Sequence, residues 1–156
     1  MLGKPSRGWS EITVNSKALG TASYLSWLPG DILEACIRYL KCAKKDIEKW
    51  GTAYGGYGLN IEFDAETYQF GLVEIGSQIY SYDDRKKEEP YINLGNALCN
   101  HRENVDFVKK MTEEVISDIE NDFEGWKWWD AMDEEEAENN EKDLILLLQE
   151  AKNCLL

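Results

Sequence analysis

The sequence predicts an α+β domain, an antiparallel sheet with two or three amphipathic helices packed on it. Two observations carry that prediction. Apolar residues recur at steps of three and four in separate long stretches, and they alternate with polar residues in the block between them. The connections inside that block are too short for parallel crossovers, which leaves an antiparallel meander. With 156 residues, the chain fits one domain spanning 1–156. A domain of that size buries roughly 68–70% of its unfolded surface, and 43% hydrophobic with 12% aromatic residues supply the core. Disordered chains are poor in aromatics, so the high charge does not imply disorder.

Taken in order, Ile12-Thr13-Val14 and Ala22-Ser23-Tyr24-Leu25 flank Asn15-Ser16-Lys17 and Gly20, the pattern of a hairpin or two short strands. Pro29-Gly30 closes that stretch. Asp31 is placed to cap a helix, with Glu34 three residues on. Cys36, Leu40, Ala43, Ile47 and Trp50 then share one helical face, and Gly51 is the stop signal. Tyr54-Gly55-Gly56-Tyr57-Gly58 reads as a flexible connection. Leu59, Ile61 and Phe63 alternate as a half-buried strand does. Asp64 to Thr67 is a turn, and Tyr68–Ile75 and Gln78–Tyr82 are strands joined around Gly76-Ser77. Asp83 to Pro90 is a charged loop, after which Tyr91-Ile92-Asn93-Leu94 offers a further strand. A second helix begins near Asn104, with Val108, Met111, Val115, Ile119 and Phe123 as its stripe and Gly125 as its end. A last helix over about 143–155 carries Ile145, Leu148, Ala151 and Leu155 on one side.

No apolar run approaches the ~18 residues that span a bilayer. The start, Met1-Leu2-Gly3-Lys4-Pro5-Ser6-Arg7, has basic residues without the apolar stretch of an export signal. Cys36, Cys42, Cys99 and Cys154 stand at unrelated spacings, which suits reduced, packed thiols and a cytoplasmic location.

Charge is distributed unevenly. From Glu113 to Asp143 there are fourteen acids against Lys127 and Lys142, a net of −12 in 31 residues out of −13 for the whole chain. Acids on the outer side of a helix explain Glu113, Glu114, Asp118, Glu120 and Asp122 as a solvated face. The next segment differs, because Trp126, Trp128, Trp129 and Met132 lie beside Asp130, Asp133, Glu134, Glu135 and Glu136. Tryptophan is enriched at interface hot spots, and clustered carboxylates steer basic partners. These three tryptophans and five acids are the candidate partner-binding residues. The alternative is that the rings are core. Trp128 and Trp129 are adjacent and cannot point the same way on a helix or strand, so one of them is expected to face outward. A further alternative is internal: Arg38, Lys41, Lys45 and Lys49 form a basic stripe on the first helix that the acids could meet, in the same chain or a second copy.

Enzymatic signals are weak, and no catalytic, cofactor or metal residues are assigned. Cys99 and His101 alone cannot furnish a zinc site, and their spacing has no special merit for a nucleophile and base. His101 reads as a capping or surface residue. The glycine-rich loop lacks the Lys and Ser/Thr of a phosphate-binding loop and precedes a strand. Asp83, Asp84, Glu88 and Glu89 are interrupted by Arg85, Lys86 and Lys87. The run from Asp133 lacks the alternate spacing and glycine of an EF-hand. Direct nucleic-acid binding is disfavoured by the net negative charge.

In size, reduced cysteines, acidity and its concentrated patch of acids with aromatics, the chain resembles the immunity proteins of bacterial toxin–immunity systems, including the polymorphic-toxin and contact-dependent inhibition kind. The resemblance is one of type, spread over the chain, and no diagnostic motif transfers residue roles. It implies a cytosolic inhibitor that covers the active site of a basic partner, a cognate toxin such as a nuclease. Two other readings fit the same features: a secretion chaperone, usually dimeric, and a DNA-mimic inhibitor of a nucleic-acid-binding protein.

Overall fold

A two-residue turn sets the first element. Asn15 and Ser16 both adopt left-handed backbone, with φ of 50° and 63°, the geometry that matches the twist of a hairpin. Strand β1 (Trp9–Val14) therefore pairs antiparallel with β2 (Lys17–Ser23), with a register shift after Ile12. Ile12, Val14 and Ala22 face the core. Tyr24 and Leu25, expected to continue the strand, lie beyond its end and are exposed. The computed structural model describes residues 1–76, 78–85, 91–93 and 101–156. The expectations for Ser77, 86–90, Leu94 and the Leu98–Asn100 segment with Cys99 fall outside them, as does the side chain of His101.

Helix α1 (Leu28–Trp50) begins earlier than Asp31. Pro29 occupies the first turn, where its missing N–H costs nothing. Asp31 donates its own amide to the Trp27 carbonyl at 2.9 Å, so it lies inside the helix and is not the cap. Cys36, Leu40 and Ala43 are buried as the periodicity predicts, whereas Ile47 and Trp50 lie on exposed turns near the end of the helix. Gly51 ends the helix in left-handed conformation (φ 76°), its amide bonded to the Ile47 carbonyl.

Strands β3 (Asn60–Asp64), β4 (Gln69–Ile75), β5 (Gln78–Asp83) and β6 (Tyr91–Asn93) form an antiparallel meander in that order. Period-two alternation puts Ile61, Phe63, Phe70, Leu72 and Ile79 in the core. Gly71 is required there: a Cβ would sit 2.0 Å from the Ile61 carbonyl oxygen and 2.9 Å from the Tyr82 ring.

Helix α2 (His101–Asn121) buries Val108, Met111, Val115 and Ile119, as its stripe predicts. It ends at Asn121 and not at Gly125. A separate short helix, α3 (Phe123–Lys127), contains Gly125, whose amide is accepted by the capping Asp122 carboxylate at 3.3 Å. The last helix, α4 (Glu134–Leu155), starts nine residues before the expected 143. Its buried positions are Ala137, Leu144, Leu148 and Ala151, so the stripe passes through Leu144, while Ile145 is exposed. The fold is α+β, with two small antiparallel sheets and four helices among the described residues. No helix among those residues is long and apolar enough to cross a membrane. Of the cysteines described, Cys36 is buried, Cys154 half-buried and Cys42 exposed; all are free thiols.

Candidate partner-binding surface

The α3–α4 corner gathers the residues singled out by the sequence and divides them. Trp126 and Trp129 are 1% and 4% exposed and belong to the core, their rings 5.2 Å apart. The Trp129 indole N–H donates to the Ser26 carbonyl at 2.9 Å, which ties the β2–α1 loop to the corner. Buried rings cannot anchor a partner, so the anchor role expected of any of the three tryptophans narrows to Trp128, which is 45% exposed. One of the adjacent pair does face outward, and it is Trp128. Met132 beside it is 85% exposed. Tyr24 and Leu25, on the loop that Trp129 holds, are exposed as well.

The acids here are a helix start. Asp133 caps α4, its carboxylate accepting the Glu136 amide at 2.9 Å, and Glu136 reaches back to the Met132 amide at 2.6 Å. Those reciprocal bonds satisfy donors that any helix leaves free. Glu134 and Glu135 share the first turn, where the helix dipole favours negative charge by about 0.3–1 kcal/mol each. Asp130 accepts from the Asn140 amide at 2.8 Å, and the same amide reaches the Lys127 carbonyl at 3.0 Å. Lys127 bridges Glu124 at 3.3 Å and Glu141 at 3.6 Å. The run 133–136 thus has a local structural role and still leaves four exposed carboxylate side chains beside Trp128 and Met132.

The five acids upstream are only partly a solvated face. Asp118 binds the Met1 ammonium at 2.9 Å and the Leu2 amide at 2.8 Å, with Glu114 3.7 Å from the same ammonium. Glu120 pairs with Lys152, and Asp122 caps α3. On the basic stripe of α1, Lys41 pairs with Glu150 near the end of α4, and Lys49 lies 4.6 Å over the Trp50 ring. None of the described salt bridges joins that stripe to Asp133–Glu136.

A second polar centre was not foreseen. Glu74 on β4 is buried, and its carboxylate accepts from the Tyr39 hydroxyl (2.6 Å), the Asn104 amide (2.8 Å) and the backbone amides of Gly56 and Gly58 (3.1 Å each). The glycine loop is therefore tied down. Gly55, Gly56 and Gly58 all take positive φ, and the Gly56 and Gly58 amides both donate to the protein's own buried carboxylate. Tyr57 joins the same cluster, its ring 5.0 Å from that of Tyr39 and its hydroxyl donating to Asp46 at 2.5 Å. Burial and then the bond to Glu74 push the Tyr39 phenol above the usual tyrosine range, so it stays a donor. One sequence signal was available: Phe70, Leu72 and Glu74 share the inward phase of β4, and a charge in that phase needs partners.

Elsewhere, Asp83 is bound by the Arg85 guanidinium (2.7 and 3.0 Å), and Asp84 accepts the Gln69 amide at 3.0 Å. Among the described residues, no three His, Cys, Asp or Glu side chains are grouped to hold a metal ion. Fold and surface together define an acidic α+β protein with a polar centre inside, in which the Glu74 carboxylate is satisfied while the Asn104 side-chain oxygen has no partner among the described residues, and an exposed acidic corner with Trp128 and Met132 outside. Comparison with protein-family models, curated proteins and solved structures finds no match.

Proposed function

We propose that this protein is an acidic inhibitor that binds a basic partner protein through the α3–α4 corner, in the manner of an immunity protein covering the active site of a toxin such as a nuclease. The carrying observation is that Trp128 and Met132, 45% and 85% exposed, directly precede the capped start of α4, where the carboxylates of Asp133 to Glu136 are exposed. An exposed methionine and tryptophan supply apolar contact area. A partner that holds phosphate must present positive charge, and carboxylates standing where phosphates sit would occupy it. Asp133 and Glu136 are fixed by capping bonds, so they meet a partner with little further ordering.

The test is affinity capture from source cells at low and high salt, followed by kinetics on the captured protein. Glu134→Lys with Glu135→Lys leaves both capping residues intact and raises the net charge from −13 to −9, two units per replacement. Association at low salt should slow about tenfold and lose part of its salt dependence. Trp128→Ala should speed dissociation with little change in on-rate. An unchanged on-rate in the double reversal would remove the corner as the interface. Capture of no basic protein at either salt concentration would count against the inhibitor reading.

A further inference from the structure

Helices α1 and α4 run side by side in the same direction. The Trp129 indole is bonded to the Ser26 carbonyl just before their starts, Lys41 pairs with Glu150 further along, and Ile47 and Leu155 line one trough near their ends. Two stripes border the outer side of the seam. On α1, Asp31, Glu34, Arg38, Lys41, Lys45 and Lys49 recur at steps of three and four, and all are exposed. On α4, Glu135, Asn139, Asp143 and Leu146 are exposed at the same steps, followed by half-exposed Glu150. The Lys41–Glu150 pair puts both stripes on one face. With the offset of 109 residues in that pair, Leu146 is level with residue 37 of α1, between its two acids and its four bases. Leu146 is 69% exposed. The two stripes hold five acids and four bases, a net of −1 in a chain of −13.

We propose that this face binds a second copy of the chain, turned antiparallel about a two-fold axis near Leu146. Helix α1 then lies along α1 of the copy, Asp31 and Glu34 stand opposite Lys45 and Lys41 of the copy, and the two Leu146 side chains meet at the axis. A two-fold contact needs a self-complementary patch, and a stripe that changes sign about its middle is one. A foreign basic protein matches only the acidic half of α1 and an acidic one only the basic half, whereas the copy matches both. A face of net −1 is also where two chains of −13 approach with little repulsion. At physiological salt, screening beyond about 8 Å favours contacts within the interface over the net repulsion of the two chains. Area is sufficient as well. Two helices about 10 Å across and about 34 Å long present roughly 700 Å². Both copies together then bury about 1,400 Å², within the ~1,200–2,000 Å² of specific complexes. The inference goes beyond the inhibitor reading and does not rest on it, since the purified chain supplies both sides.

The test is sedimentation equilibrium of the full-length protein at physiological salt. A reversible monomer–dimer mixture is expected below about 0.5 mM, the weak end of specific association. Arg38→Glu with Lys45→Glu should weaken self-association at least tenfold, and so should Asp31→Lys with Glu34→Lys, because like charges then face each other. Mixed in equal amounts, these two variants should form a heterodimer, because the acids added to one meet the bases added to the other. Leu146→Glu should also weaken the dimer at least tenfold, with an unchanged circular dichroism spectrum, since the residue is exposed. A monomer at every concentration would overturn the proposal. So would a dimer that survives the charge reversals or Leu146→Glu, or reversed variants that stay apart when mixed.

Discussion

Replacing Glu74 by leucine should destabilise the protein by about 4 kcal/mol, and replacing it by glutamine by only about 1–2 kcal/mol. The first figure follows from what the carboxylate leaves behind. The Tyr39 hydroxyl and the Asn104 amide are in the core, and each unsatisfied buried donor costs about 1–3 kcal/mol. The Gly56 and Gly58 amides are only partly buried and return to water at smaller cost. Glutamine keeps one oxygen where Tyr39, Asn104 and Gly56 converge. It loses the charge that roughly doubles the strength of such bonds, and it turns an N–H towards Gly58. Urea unfolding followed by circular dichroism measures both variants. With a slope near 2 kcal/mol per molar, the leucine variant should shift its midpoint by about 2 M at unchanged slope. A double-mutant cycle with Tyr39→Phe should show a coupling of about 1 kcal/mol or more, because the two residues share one bond. A leucine variant as stable as the parent, or equal losses in the leucine and glutamine variants, would refute the claim that the charged acceptor holds the loop, α1 and α2 to β4.

The tryptophans should separate cleanly. Trp126→Ala and Trp129→Ala should each cost about 3–5 kcal/mol in urea unfolding, whereas Trp128→Ala should stay within about 0.5 kcal/mol; a large loss at Trp128 would place it in the core. Gly71→Ala should cost about 3 kcal/mol or more, since the obstructing atom is the Ile61 carbonyl oxygen and backbone cannot swing aside; near-native stability would contradict the register of β3 on β4. Alkali should unfold the protein in a defined window. Burial and Glu74 raise the Tyr39 phenol above its ordinary value of 10, so the folded state keeps a proton that the unfolded chain releases. Stability is undiminished below pH ~10 and falls above it, by up to ~1.4 kcal/mol per pH unit for this group. Tyr39→Phe should flatten that slope between pH 10 and 12, and an unchanged slope would mean that other tyrosines carry the effect.

Much of the meander was legible because strand burial has period two, and the positions of Ile61, Phe63, Phe70, Leu72 and Ile79 follow from it directly. The centre of α1 and the stripe of α2 were legible for the same reason at period 3.6. Helix starts were less so. Asp31 has the chemistry of a cap, but Pro29 could begin the helix before it, and only the Asp31–Trp27 bond decides between them. The first nine residues of α4 read as an acidic run, because Ala137 is their single buried residue and no apolar stripe announces the helix. Asp133 and Glu136 carry a cap signal, the same acid-x-x-Glu pattern as Asp31 and Glu34, but the dense run of acids around them masks it.

On its own, the sequence determined the fold class, the meander and the centres of the long helices, because each depends on local periodicity and turn chemistry; for the first strands it left a hairpin and two short strands open, and the left-handed turn at Asn15 and Ser16 decided for the hairpin. Their adjacency also set the expectation that one of Trp128 and Trp129 faces outward. The tertiary structure decided which one, since Trp129 is held by Trp126 and by a carbonyl 103 residues away at Ser26. It likewise decided that Glu74 is satisfied, by donors from α1, the glycine loop and α2 that come together only when the helices pack on the sheet. Local patterns show which side chains must be buried; the partner each one meets depends on contacts between distant segments, which periodicity does not encode.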